Sequence, residues 1–185
     1  MNSVKIMMEE HQYILRMLKV VRKACYRVMT KNEINYEDFA AMIDFIRTYA
    51  DKHHHGKEEK MMFKKMQEYM GKLGENLITH GMLVEHDLGR LHMQELEAAL
   101  SRVRAGDDES RLDVIANAMS YTHLLERHIK KEDDLVYPFG EKQLPAEVLA
   151  RINEETEAFE EEASKQNTQT TYIALLESME AKYLV

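Results

Sequence analysis

Two stretches of this sequence carry a histidine and a glutamate four residues apart: His54 and Glu58 in HHGKEEKMMF, and His128 and Glu132 in HIKKEDDLVY. Four residues of α-helix turn about 400° and rise about 6 Å, so each pair lies on one helix face, one turn apart. An imidazole offers one nitrogen to a metal ion, whereas a carboxylate has two oxygens and can bridge two divalent ions in a bundle core. Two such pairs on different helices predict a dinuclear metal site. Both strings read histidine, three residues, glutamate, an acid, any residue, two apolar residues, then an aromatic. This match aligns His54 with His128 and Glu58 with Glu132, and it sets His55 against the apolar Ile129, which favours His54 over His55 as the inward residue. The same phase carries Ala50 and Met61 on the His54 face and Leu125 and Leu135 on the His128 face, as expected of ligands that continue core stripes.

Two more histidines extend the set. His11, in MEEHQYIL, shares its face with Met7, Leu15 and Leu18, and His86, in LVEHDLGRL, shares its face with Met82, Leu83 and Met93. The other histidines are expected to be solvated or hydrogen-bonded. His80, His92 and His123 lie outside the repeated motif, and three consecutive histidines, His53 to His55, are not expected all to face inward. The fourteen methionines read as core filler. Imidazole and carboxylate donors suit iron, zinc or manganese, with iron favoured.

The elements that must position these residues are helices. Apolar residues recur at spacings of three and four, as in Ile6, Met7, Tyr13, Ile14, Met17, Leu18 and Val21, and again in Phe39, Met42, Ile43, Ile46 and Ala50. Breaks at 31–35, 71–75, 105–109 and 140–145 predict bundle helices over 3–29, 36–69, 76–104 and 109–139. Short connections make neighbours antiparallel, so the expected fold is all-α: an up-down-up-down antiparallel four-helix bundle with additional C-terminal helices. Residues 1–142 form the bundle in this reading. Residues 143–185 form a helical extension, opened by Pro145, packed on the bundle or at a partner interface such as that of a homodimer.

Composition narrows the class. Against 25 basic residues stand 33 acidic ones, and a net charge of -8 argues against nucleic acid as a partner. No run of apolar residues is long enough for a membrane span. A single cysteine, Cys25, and a beginning without a signal-like apolar stretch point to a reducing cytoplasm. Cys25 itself reads as an inert buried thiol.

Together MEEH, HHGKEE with its following apolar pair and phenylalanine, EHDLGR and HIKKEDDLVYP resemble the hemerythrin-like, HHE cation-binding domain family, in order over about residues 3–140. The resemblance implies a four-helix bundle with a non-haem diiron centre. It implies His11, His54, Glu58, His86, His128 and Glu132 as ligands of two iron ions, the two glutamates bridging. One position departs from oxygen-carrying members, which place a second histidine one turn after the first on the third helix, where this chain has Arg90. That leaves an open coordination position, or a replacement ligand among His55, Glu59, Glu85 and His123, and makes Arg90 a candidate gate or anion-binding group. Long-lived oxygen carriage is therefore not expected. Three roles remain open: binding or sensing of a small ligand (oxygen, nitric oxide, peroxide or a small anion), a peroxidase-like or stress-protection activity with Tyr121 as proton donor, and iron storage, donation or sensing.

Overall fold

The computed structural model describes residues 2–184, and every regular element among them is helical. Helix α1 (Ser3–Lys31) starts where the Asn2 side chain accepts the Lys5 amide and stops at Asn32, whose φ of 57° is left-handed. Asn35 caps the second segment by accepting the Asp38 amide. That segment runs from α2 (Tyr36–Phe45) through wide π-helical turns at Ile46–His55 and Glu58–Met62 into α3 (Phe63–Tyr69). After a turn come α4 (Gly71–Leu77), a π-helical turn at Ile78–Met82 and α5 (Leu83–Arg104). A 3-10 turn at Asp108–Ser110 leads into α6 (Arg111–Lys131), a further π-helical turn at Glu132–Val136 and α7 (Tyr137–Gln143). Helices α8 (Ala146–Lys165) and α9 (Thr168–Tyr183) follow.

Two expected boundaries move. The third segment is helical from Gly71 rather than from residue 76, because the turn is confined to Met70 and Gly71, where a φ of 54° suits glycine. The break expected at 140–145 falls at Leu144 and Pro145. Gly140 stays inside α7, where its bare backbone lets the Met62 side chain pack against it.

Buried apolar residues form two clusters with a polar layer between them. One contains Ile14, Met17, Phe45, Ala50, Met93, Leu125 and Ile129. The other contains Val4, Met7, Met61, Met62, Phe63, Met66, Met82, Val136 and Tyr137. Along each segment the change of cluster happens at the expected ligands: His11 lies between Met7 and Ile14, His54 and Glu58 between Ala50 and Met61, and His86 between Met82 and Met93. His128 and Glu132 interrupt the fourth segment in the same way. Leu135, expected on the core stripe, is 56% exposed. The wide turn at Glu132–Val136 shifts the helical phase there, and Val136 and Tyr137 are buried in its place.

The last two helices lie along α1. Helix α8 adds Val148 and Ile152 to the second cluster, and Asn153 accepts the Ser3 amide at 2.8 Å. Helix α9 packs Leu176, Met179 and Tyr183 into the first cluster, with Arg16 donating to both oxygens of Glu180. The apolar face of the final segment is thus covered by the chain's own bundle.

The turn between α3 and α4 depends on a close backbone approach. A Cβ at Gly74 would come within 2.3 Å of the Met66 carbonyl oxygen, a backbone atom that cannot step aside. Gly74→Ala should therefore lower stability by roughly 3 kcal/mol in urea unfolding, at the upper end of ordinary single substitutions. Gly71→Ala, which strains only φ, should cost about 1 kcal/mol.

Candidate metal centre

The structure brings all six sequence-derived residues into the polar layer, where His11, His54, Glu58, His86, His128 and Glu132 are each no more than 1% exposed. The donor atoms of His11, His54, Glu58 and Glu132 lie within 4.8 Å of one another, and so do those of His55, Glu58, His86 and His128. Glu58 belongs to both groups. Glu132 joins them as well, with Oε2 at 3.3 Å from His11 Nε2 and Oε1 at 3.0 Å from His128 Nε2.

His55 corrects the expectation drawn from the repeated motif. Its ring stacks on that of His86 with centroids 3.8 Å apart, so the layer holds five histidines rather than four. His53 is buried too, although three consecutive inward histidines were not expected. The turns at Ile46–His55 are π-helical, and the three rings find three environments: His54 and His55 serve the two halves of the centre, and His53 faces α8. His80 and His123 are exposed, and half-buried His92 lies 3.3 Å from the Asn117 amide oxygen, in line with the sequence reading.

Each of the five imidazoles has its Nδ1 on an outer carboxylate. His11 meets Asp133 at 2.7 Å, His54 meets Glu10 at 2.8 Å, His86 meets Glu59 at 2.7 Å, and His128 meets Glu85 at 2.8 Å. His55 meets Asp51 on its own helix at 3.3 Å. Four of these bonds close a ring around the bundle, because each acid sits next in sequence to a central residue of one segment and holds the histidine of another. Glu10 follows this rule beside His11, Glu59 beside Glu58, Glu85 beside His86, and Asp133 beside Glu132. A carboxylate at Nδ1 selects the tautomer with its proton outward and leaves Nε2 as the inward lone pair, the arrangement that metal-binding histidines require. Glu59 and Glu85, considered as replacement ligands from sequence, take this outer role.

Arg90 does not reach the centre. Its guanidinium donates to Asp51 and Glu59 at 2.7 Å each, and to Asp87 at 2.9 Å, so it ties together the carboxylates behind His55 and His86. Of the replacement ligands considered for the position beyond His86, His55 is the one whose ring lies against that of His86.

Electrostatics fit a cationic occupant. His11 Nε2, His54 Nε2, Glu58 Oε2 and both Glu132 oxygens are buried without a hydrogen-bond partner, and all five atoms belong to the central groups. Burial opposes charge on every ring. For His11 and His86, hydrogen bonds to carboxylates outweigh it and raise the pKa to about 9, and for His128 the Glu132 charge helps to raise it to about 10. Burial and neighbouring cationic rings instead push His54 down to about 4 and His55 well below the usual histidine range. Burial and the Glu132 charge push the Glu58 carboxyl well above the usual carboxylate range. Divalent ions would supply the positive charge that three imidazoles otherwise provide and would satisfy the orphaned donors together, so these residues fit a pair of metal ions.

The hydroxyl at the centre is that of Tyr137, which donates to Glu58 Oε1 while its ring stacks on His11. Tyr121, expected in that role, lines a cavity of about 20 Å³ with His55, His86 and Arg90. Tyr137 was present in the sequence signal as the aromatic that ends the second motif.

Central and outer carboxylates should separate on substitution. Glu58→Ala or Glu132→Ala removes a group shared by both donor sets and should abolish binding of a metal pair. Glu59→Ala leaves the inward donors in place and should weaken binding by about 10- to 100-fold. Elemental analysis and chelator competition distinguish the two outcomes, and equal loss in all three variants would contradict the geometry.

The chain resembles an uncharacterized protein of Mycobacterium bovis and uncharacterized proteins of two strains of Mycobacterium tuberculosis, each 26% identical over 132 residues. The match covers 71% of this chain and 51% of each relative, so the chain spans about half the length of the curated relatives it matches. No solved structure matches it. The family model of the hemerythrin HHE cation binding domain matches residues 2–139, which contain every residue of the two central groups. The chain therefore belongs to the hemerythrin HHE cation-binding domain family.

Proposed function

We propose that this chain holds two iron ions between its helices and binds or senses a small ligand there, with oxygen, nitric oxide and peroxide the chemistries that suit such a pair. One observation carries the reading: five imidazoles, each fixed from outside by a carboxylate, surround the buried carboxylates of Glu58 and Glu132, whose oxygens other than Glu58 Oε1 have no hydrogen-bond partner. Glu58 and Glu132 would be the bridging groups. His55, His86 and His128 would hold one ion, and His11 and His54 the other. Zinc or manganese would fit the same donors. The four long segments are read as an up-down-up-down bundle around this layer, with a reducing cytoplasm as the compartment.

A pair of iron ions supplies the redox chemistry, and the chain supplies geometry, hydrogen bonds and exclusion of water. Apolar clusters close the layer on both sides. The cavity of about 20 Å³ beside His55 and His86 admits a water or a diatomic molecule but no organic substrate. Tyr137 holds a proton at Glu58 Oε1, on the side of the centre that has only two histidines. The expectation against long-lived oxygen carriage rested on Arg90 standing where a fifth histidine is expected, and the burial of His55 against His86 weakens that argument.

Anaerobic reconstitution with iron(II), followed by optical spectra on adding oxygen, nitric oxide and peroxide in turn, tests the proposal. About two ions per chain and a spectral change with at least one ligand are expected; one ion at saturating iron would contradict it. Metal should also stabilise the fold. Free metal a thousandfold above Kd contributes about 4 kcal/mol by linkage, so stripping the ions should lower Tm by roughly 10 °C in a chain of this size. An unchanged Tm with confirmed metal loss would place the ions at the periphery.

A further inference from the structure

Beside the centre lies a second buried cluster, in which donor atoms of Glu10, His53 and Glu160 come within 4.8 Å of one another. These three groups alone would make a cation site, but the position is filled by the chain's own cation. The Lys57 ammonium, on a residue that is 0% exposed, contacts both Glu10 and Glu160 and lies 3.1 Å from His53 Nε2. Phe159 covers the cluster, its ring 5.5 Å from that of His53, and Gln169 donates to the other oxygen of Glu160.

Connectivity gives this cluster a role. Glu10 uses one oxygen for Lys57 and His53, and the other for His54 Nδ1 at 2.8 Å. The carboxylate that orients a central imidazole is therefore itself held by a lysine whose second counterion comes from α8. Both α8 and α9 lie outside the residues matched by the family model, so the Glu160 contact is an addition to the matched domain. Helix α8 is otherwise attached near the metal layer by Val148 and Ile152, and by Thr156, whose hydroxyl donates to Ser3 Oγ at 2.9 Å.

We propose that Glu160 is a positioning residue for the metal centre, acting through Lys57 and Glu10 on His54, and that it couples the docking of α8 to metal occupancy. The inference rests on the metal-centre reading above. An ion on His54 Nε2 strengthens the Nδ1 hydrogen bond to Glu10, fixes Glu10 in place and so holds Lys57 where Glu160 meets it. Undocking α8 would open the Lys57–Glu10 pair to water and release Glu10 from its position. Coupling of this kind is reciprocal: metal tightens α8, and docked α8 tightens metal. A helix that reports occupancy at the surface provides what an iron- or ligand-sensing protein needs.

Hydrogen exchange of residues 146–165 in the full chain, metal-stripped and loaded with zinc(II) or anaerobic iron(II), tests this directly. Residues 176–183 of α9 serve as the internal reference for general stabilisation. Loading should slow exchange of α8 by about tenfold more than that of the reference. In Glu160→Gln this difference should vanish and chelator competition should show affinity lower by about tenfold, whereas Glu157→Gln, an exposed neighbour on α8, should behave as the unmodified chain. Two bound ions with no metal-dependent change in α8 of the unmodified chain would overturn the coupling and leave the metal centre standing. A chain that takes up no ion would overturn both. The comparison on the unmodified chain needs no variant to fold, and Lys57→Met combined with Glu160→Leu, which replaces the ion pair by apolar bulk, should also uncouple α8 from metal.

Discussion

Carboxylate–imidazole hydrogen bonds that cross from helix to helix are the constraint on which the rest of this structure depends. An isolated imidazole in an apolar core is free to choose its tautomer and to rotate, and it gives a metal ion no fixed donor. Here Glu10, Glu59, Glu85 and Asp133 each hold the histidine of another segment, and their bonds run once around the bundle. The inward nitrogens converge because the outward ones are anchored. The same bonds tie together helices distant in sequence, so that the site and the bundle stabilise each other. The layer they frame is costly without cations, since Glu58 Oε2 and both Glu132 oxygens are buried at its centre without hydrogen-bond partners.

Much of this was legible in the chain because helical period and ligand spacing coincide. The spacing of four between His54 and Glu58 and between His128 and Glu132 identified two helices that offer the same chemistry to the same point. The apolar stripes through His11 and His86 identified the other two. What remained hidden lay in departures from ideal helical phase and in contacts between segments. The π-helical turns over Ile46–His55 bring His55 in beside His54 and, at Glu132–Val136, carry Leu135 outward. A strict α-helical phase predicts neither. The outer carboxylates were visible only as acids adjacent to the central residues, and no periodicity says that Glu85 serves His128 rather than its neighbour His86.

Arg90 shows how a resemblance can name the right family and still mislead at one position. Its place in the sequence is that of a histidine in oxygen carriers, which suggested a missing ligand. Physically it is a brace two contacts removed from the centre, bound to the carboxylates behind His55 and His86. A fifth buried histidine near the central carboxylates, His55, comes from the second segment. Cys25, in contrast, behaves as its surroundings dictate: it is buried in the first apolar cluster, and burial pushes its thiol up to about 12, which keeps it unreactive.

The central claim is that five inward nitrogens and two shared carboxylates form one centre for two ions. Anomalous diffraction at the iron edge from crystals of the iron-loaded chain addresses it most directly. The expected map has two peaks about 3.5–4 Å apart, with Glu58 and Glu132 between them and His55 bound to the ion shared by His86 and His128. A single peak, or two peaks with His55 turned away from both, would contradict it.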